Sequence, residues 1–325
     1  MSLIKVKARG QSADFETEIG GTTKNIIING AMSVNQRVAT SGITSGYFVD
    51  RFQLSGCSAS AVITSSTPTE FPTAITVSAT SGNPIILQKI ESKNTKHLSG
   101  KVVTASFYAK NISNATTLYT SLQYAGSADS FGSTTTISEQ NLGNLTNDWV
   151  RYSASWTVPA GGLNGLSLNI LCAGSSTFTM GVTGVQLEVG SSATDFEHLP
   201  FAEELRLCQR YFCKSAPYSF LPDHNYDPDS VVVLVDMANG LMRSSRIYFP
   251  VKMRATPTIT QLRAGTGFAS SNGQWAWYQS GTWIFYAFNS GNANEDGFCA
   301  HGGVGGAGDG QSYWTHAAWK AEAEL

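Results

Sequence analysis

The sequence carries little charge. Only 14% of its 325 residues are Asp, Glu, Lys or Arg, whereas about a quarter is usual in globular proteins. The formal net charge is -2, so no basic field would attract nucleic acid or an anionic membrane surface. We therefore expect neither nucleic-acid binding nor membrane insertion. Ser, Thr, Asn and 32 Gly take the place of the missing charges.

Cysteines are also few. The chain has 5 of them, scattered and without a CxxC pair, which excludes a disulfide framework and a zinc-finger spacing. We expect buried free thiols and synthesis in a reducing cytoplasm. No stretch approaches the roughly 18 apolar residues of a membrane helix. The basic start, MSLIKVKARG, lacks the apolar run of a secretory signal.

Motifs of common hydrolases are missing: there is no GxSxG, HExxH or P-loop. The glycine-rich run HGGVGGAGDG (301–310) lacks the lysine of a phosphate loop. A glycan-cleaving enzyme needs two carboxylates in a groove, but Asp227 with Asp229, and Glu295 with Asp296, lie in polar, turn-like segments. We expect no enzymatic activity and no cofactor.

One spacing is typical of a metal loop. Oxygen-bearing side chains alternate at Asp223, Asn225, Asp227 and Asp229, as they do in a calcium-binding loop. Pro228, however, stands where an EF-hand needs glycine, and no bidentate Glu follows at the required position. A loop of Asx turns is the favoured interpretation, and a weak calcium site is the alternative.

Short stretches of alternating apolar and polar residues dominate the chain from Lys24 to Pro200. Ser, Gly and Asn clusters separate roughly ten such strands. This is the size of a jelly-roll β-sandwich. In the segment YFVDRFQL (47–54), adjacent Asp50 and Arg51 predict ion pairing at a sheet edge. The predicted fold is mainly β: a jelly-roll β-sandwich, a short linking helix, and a second, smaller C-terminal β-domain.

The segment Gly184–Phe212 changes from strand to turn to amphipathic helix. Pro200 suits the first turn of a helix because its missing N–H would be unpaired there. Leu205, Cys208 and Phe212 then follow the spacing of one helix face. These three side chains either cap the sandwich or meet their copies at the threefold axis of a trimer.

Aromatic residues concentrate in the C-terminal part, on two strands that Ser280-Gly281 predicts to form a hairpin. One sheet face must pack on a core, and the other would present rings for stacking on sugars, with Asn side chains as hydrogen-bonding partners. Packing in a core or trimer interface is the alternative. The candidate saccharide-binding residues are Trp275, Trp277, Tyr278, Trp283, Tyr286, Asn289 and Asn292.

Four stretches resemble parts of bacteriophage tail-fibre and related receptor-binding proteins. GVQLEVGSSATDFEHLPFAEELRLCQRYF (184–212) is similar to the strand-to-helix exit of their carbohydrate-binding-module-like jelly roll. NIIINGAMSVNQR (25–37), followed by YFVDRFQL, resembles the opening of that domain. IYFPVKMRATPTIT (247–260) resembles a core hairpin of their C-terminal β-domain, and AAWKAEAEL (317–325) resembles its end. The resemblance spans residues 25–325.

The resemblance implies a virion protein of a phage tail, usually a homotrimer, that contacts host surface glycan. The expected organisation is an N-terminal virion-attachment segment (1–24), the jelly roll (25–197), the linking helix (198–214) and a receptor-binding β-domain (215–325). Other tail or baseplate proteins would bind the N-terminus, although this segment fits an edge strand of the jelly roll equally well. The alternatives are a structural baseplate or head-decoration protein that binds only virion proteins and, less favoured, a saccharide depolymerase.

Overall fold

The computed structural model describes residues 24–37, 45–220, 235–238, 241–262, 274–279, 282–287, 289–303, 315–316 and 318–325. The first part of the chain is built from long strands. These are β1 (Gly46–Val49), β2 (Phe52–Thr64), β3 (Ala74–Ile90), β4 (Val102–Ser127), β5 (Ser130–Asn144), β6 (Val150–Thr157) and β7 (Leu166–Val189). A short helix (Ser92–Thr95) and a 3-10 helix (Ala160–Asn164) lie between strands.

The longest strands, β3, β4 and β7, each take part in both layers of a sandwich. The first layer is sheet 1, in which the start of β4 lies between β6 and the end of β7, and the end of β7 also pairs with the start of β3. The second layer is sheet 2, with the strand order β1-β2-β3-β7-β4-β5, to which β3, β4 and β7 contribute their other ends. The register shifts between the two parts, near Gly82 (φ 71) and Asn114 (φ 53), residue types that tolerate this backbone conformation.

One apolar core fills the space between the layers. Val103 and Phe107 reach it from sheet 1, and Leu168 and Ile170 from sheet 2. Side chains alternate across a strand, so the residues between these positions face outward. The mainly β fold with a sandwich domain is therefore confirmed, and the sandwich has two outward surfaces on which a ligand could bind.

The linking helix spans Phe201–Gln209 and begins directly after Pro200. Its Glu204 carboxylate accepts a 2.5 Å hydrogen bond from the backbone N–H of Asn29, and burial raises the pKa of this carboxyl. Cys208 is fully buried within the chain, whereas Leu205 is half-buried. The helix therefore packs on the opening segment of the sandwich.

Two of the predicted trimer contacts are wrong. Cys208 and Phe212 are 0% and 1% exposed in a single chain, so neither has surface left to offer another copy. Phe212 does not even lie on the helix: it starts strand β8 (Phe212–Lys214), and the Arg37 guanidinium lies 4.0 Å from its ring centroid. The predicted helix (198–214) is therefore too long at its end. Leu205 stays a prediction.

Several small sheets form the C-terminal part. After β8, its strands are β9 (Val235–Ala238), β10 (Leu241–Ser244), β11 (Ile247–Tyr248), β12 (Thr258–Leu262), β13 (Gln274–Gln279), β14 (Thr282–Ala287), β15 (Asn289–Asn294), β16 (Gly297–Gly303), β17 (Thr315–His316) and β18 (Ala318–Glu322). β18 lies between β12 and β8, and β13 lies between β14 and β17. The pairing of β13 with β14 confirms the predicted hairpin. Phe249, Phe298 and Trp319 pack with ring centroids 5.6–6.0 Å apart in the core.

A buried ionic cluster joins the end of β18 to the sandwich. Arg37 donates to Glu322 at 2.7 Å and to Glu324 at 2.9 Å. The second Glu324 oxygen pairs with Arg51, which is 1% exposed and stacks 3.5 Å from the centroid of the Tyr211 ring. Arg51 sits in the β1–β2 turn, so the predicted ion pairing is confirmed for Arg51, with a partner more than 270 residues away. The Asp50 carboxylate instead accepts hydrogen bonds from Gln36.

Candidate functional site

The structure places the predicted aromatic site only in part. Trp275 is 1% exposed, and its indole N–H donates to the Ala318 carbonyl at 3.0 Å. It belongs to the core of the C-terminal part, so its prediction as an exposed sugar platform is wrong. Asn292 is exposed with φ 52. The side chains of the other candidates lie outside the described residues: Trp277, Tyr278, Trp283, Tyr286 and Asn289.

The predicted calcium loop, with Asp223, Asn225, Asp227 and Asp229, also lies outside the described residues. Within the described ranges, no group of three or more His, Cys, Asp or Glu side chains is arranged to hold a metal ion. In the same ranges, no helix has the length and apolarity to cross a membrane.

A strip of small polar side chains runs along the middle of the outer surface of sheet 2. Ser167 and Asn169 on β7 and Ser121 on β4 point away from the core, because they alternate with buried Leu and Ile residues. They are nevertheless only 3–4% exposed. Larger neighbours flank these small side chains, including the half-buried Tyr119 and Leu87. We call the small side chains the floor, and their larger neighbours the walls, of the sheet 2 groove.

Hydrogen bonds fix the orientation of the groove floor. The Ser167 hydroxyl donates to Asn169 Oδ1 at 2.9 Å, and Asn169 Nδ2 donates to Ser121 Oγ at 3.2 Å. Ser121 therefore keeps its own proton to donate, and Ser167 keeps lone pairs to accept. Beside the floor, Gln123 exchanges hydrogen bonds with Thr134 and Thr136. A floor that both donates and accepts matches hydroxyl groups, which do the same.

One buried polar atom of the groove lacks a hydrogen-bond partner among the residues that the structure describes. Gln53 on β2 lies opposite Leu87, on the same outward surface. Its Oε1 is buried and, within the described residues, accepts no hydrogen bond. A buried acceptor without a donor costs about 1–3 kcal/mol. A bound ligand with a hydroxyl donor would remove this cost.

The groove combines apolar walls with charges only at its margins. Tyr119, Leu171 and Ile85 are adjacent across three strands and are half-buried. At the opposite end, Lys89 donates to the Leu325 main-chain oxygen at 2.7 Å, and burial lowers its pKa. Glu139 lies on β5 beside Ser121 and is exposed. The floor itself is neutral, so the groove suits an uncharged ligand with apolar and hydroxyl-bearing surfaces.

A separate cavity of about 490 Å³ lies between residues 24–28, the short helix Ser92–Thr95 and the linking helix. Lys24, Lys93 and His97 supply its basic groups, and Leu199 and Leu207 are among its apolar ones. Lys24 is already engaged, since it donates to the Asp195 carbonyl at 2.8 Å and lies 3.6 Å from Glu188.

Alternation in the sequence predicts the strands of the sheet 2 groove but not the groove. The pattern that accompanies the groove is visible in LSLNILC (166–172), where the small polar residues Ser167 and Asn169 alternate with Leu and Ile. Small polar residues on an outward face are common on any solvated sheet. Only the pairing of β7 with β4, which brings Asn169 beside Ser121, distinguishes them.

No protein-family model and no curated protein matches the chain. Solved structures with a similar fold include the enzymatically active domain of tailspike protein 4 of bacteriophage CBA120, with 16% identity over 51% of this chain and 22% of that chain (TM-score 0.37). TmCBM61 in complex with β-1,4-galactotriose has 13% identity over 51% of this chain and 99% of that chain (TM-score 0.34). The C-terminal family 22 carbohydrate-binding module of Clostridium thermocellum Xyn10B has 15% identity over 49% and 98% (TM-score 0.34). The chain thus matches less than a quarter of the tailspike domain, and likenesses of this degree assign no ligand by themselves.

Proposed function

We propose that the chain is a non-enzymatic adhesion protein that binds an uncharged saccharide in the sheet 2 groove. The observation that carries this proposal is the unpartnered Gln53 Oε1 at the edge of a neutral, hydrogen-bonded strip. Sugars present hydroxyls to such a strip and their CH faces to apolar walls such as Tyr119. The expected site on β13–β15 remains a second proposed contact, without Trp275.

Isothermal titration of neutral oligosaccharides, chosen from a glycan array, tests the groove. Replacement of Asn169 with Leu removes both hydrogen bonds of the floor and fills it, so we expect binding to be lost. Circular dichroism and an unfolding curve must show that this variant folds. A folded Asn169→Leu variant with unchanged affinity for every neutral glycan refutes the groove.

We further propose that the chain acts as a homotrimer on a phage tail, made in the host cytoplasm and attached through residues 1–24. Weak sites repeated on one particle would gain avidity through effective concentration. The sequence resemblance of residues 25–325 motivates this assignment. Light scattering that gives a stable monomer contradicts the trimer. Electron microscopy of the particle distinguishes a tail fibre from a baseplate or head-decoration protein.

The absence of catalysis is tested separately. We expect no new reducing ends when the protein is incubated with a polysaccharide that it binds. Release of reducing ends by the purified protein would establish a depolymerase instead and would direct the search to carboxylates outside the groove.

A further inference from the structure

The outer surface of sheet 1, on the opposite side of the sandwich, carries a different set of side chains. Trp149 precedes β6 and lies beside Lys110 of β4, whose Nζ is 5.1 Å from the centroid of the indole ring. The ring extends over Gly181 of β7, where a Cβ atom would come within 2.8 Å of it. A glycine at this position lets the indole lie against the sheet.

Arg151 lies two residues further along the same face and is held in position. Its Nη2 donates to Ser106 Oγ at 2.9 Å and to the Thr194 carbonyl at 2.5 Å, and its guanidinium lies 6.0 Å from the centroid of the Tyr108 ring. Tyr108 donates its hydroxyl to Glu70 at 2.8 Å. The face therefore presents two aromatic rings, two cations and the Glu70 carboxylate, which is engaged by Tyr108.

Several donors of this face have no acceptor within the described residues. Within the described residues, no carboxylate lies within 4 Å of Lys110 or Arg151. Two buried N–H groups, Trp149 Nε1 and Arg151 Nε, also have no acceptor there. Lys110 donates only a long hydrogen bond, 3.3 Å, to Ser66 Oγ. The carboxylates of this face already accept hydrogen bonds, Glu70 from Tyr108 and Glu188 from Thr194, so the unpartnered N–H groups call for an acceptor from a ligand.

We propose that this face is a second binding site, specific for a sugar residue that carries a carboxylate. The carboxylate would pair with Lys110 and accept from the unpartnered N–H groups, while the sugar ring stacks on Trp149. The charge distinguishes this ligand from the neutral one expected on sheet 2. This site uses other residues on the other sheet, so it stands whether or not the groove binds.

Titration with a trimer of galacturonic acid, and with its neutral galactose counterpart, tests the site on the full chain. Lys110→Met keeps the alkyl stem and should weaken acidic-trimer binding at least tenfold. Trp149→Phe keeps a ring but removes the N–H, and should weaken it about threefold without loss of thermal stability. Lys101→Met, at an exposed lysine just before the same strand, is the matched control and should change affinity less than twofold.

Several results would overturn the proposal. It is refuted if Lys110→Met and Trp149→Phe bind the acidic trimer like the wild type, or if wild type binds the neutral trimer as tightly. It is also refuted if sodium sulfate displaces the trimer at equal concentration, because the face would then bind any anion. Gln53→Leu, which alters only the groove, must leave this binding intact.

Discussion

Replacement of Gln53 with Leu separates a binding role from a structural one. In a protein without ligand, the buried Oε1 is desolvated and unpaired, at a cost of about 1–3 kcal/mol. Leucine has a similar size and no acceptor, so the substitution removes that cost. We expect the free energy of unfolding to stay constant or to rise by about 1 kcal/mol. Most buried polar-to-apolar changes would lower it instead.

The same substitution should weaken saccharide binding. One hydrogen bond contributes about 0.5–1.5 kcal/mol net, which corresponds to a loss of roughly 2- to 12-fold in affinity. Urea unfolding, monitored by fluorescence, measures the stability, and isothermal titration with the neutral glycan measures the affinity. The affinity should fall while the free energy of unfolding stays constant or rises.

Gln88→Leu is the matched control. Gln88 lies on β3, is 2% exposed, and both ends of its amide bond the backbone of Ile28 at 2.8 Å. Its loss leaves the backbone N–H and C=O of Ile28 without these partners, so we expect a destabilisation of about 2–4 kcal/mol. The affinity for the neutral glycan should not change. If Gln53→Leu destabilises the protein as much as Gln88→Leu and binds glycan normally, then Gln53 is structural and the groove proposal fails.

Three further predictions concern the ionic cluster at the end of β18, the β1–β2 turn and the outer surface of sheet 1. Glu324→Gln leaves Arg51 buried without its counter-charge, so we expect urea unfolding to show a destabilisation of about 3–5 kcal/mol. Glu203→Gln is the control, since Glu203 forms an exposed pair with Arg206, and it should cost less than about 1 kcal/mol. Equal effects of the two substitutions would contradict the importance of burial. Burial raises the pKa of Asp50 from 3.8 to about 6, so the native state binds a proton more readily than the unfolded chain, and Asp50 should add stability as pH falls from above 6 towards 4. Urea unfolding of wild type and Asp50→Asn should show this pH-dependent difference, and parallel curves would refute it. Gly181→Ala must displace the Trp149 ring and should shift its fluorescence and reduce acidic-trimer binding about threefold; an unchanged spectrum would mean that the ring does not lie there.

The strands could be predicted from sequence because alternation is local. Residues 103–109 alternate in sequence, and in the structure Val103, Ala105, Phe107 and Ala109 face the core. The passage of β3, β4 and β7 through both sheets was not predicted, because it depends on which distant strands pair. The helix end was wrong for a related reason: Phe212 continues the helical spacing, but pairing of β8 with β18 takes it into a sheet.

The candidate sites could not be predicted to the same degree. Trp275 has the sequence context of an exposed aromatic strand, and only its hydrogen bond to Ala318 and the packing around it make it a core residue. Conversely, Asn169 and Gln53 are ordinary polar residues until burial on an outward surface makes them unusual. Burial depends on neighbours that are more than 30 residues away along the chain.

The ion pairs of Arg37 and Arg51 set an order of folding for the chain during translation. Within the described parts of the chain, both guanidinium groups form ion pairs only with Glu322 and Glu324, some 270–290 residues later. During translation the core of the sandwich can form early, but Arg37 and Arg51 must stay exposed to water until β18 has been synthesised. A nascent chain arrested before residue 322 should therefore resist protease throughout the core of sheets 1 and 2 yet be cut near the β1–β2 turn, and release of the full-length chain should remove that cleavage.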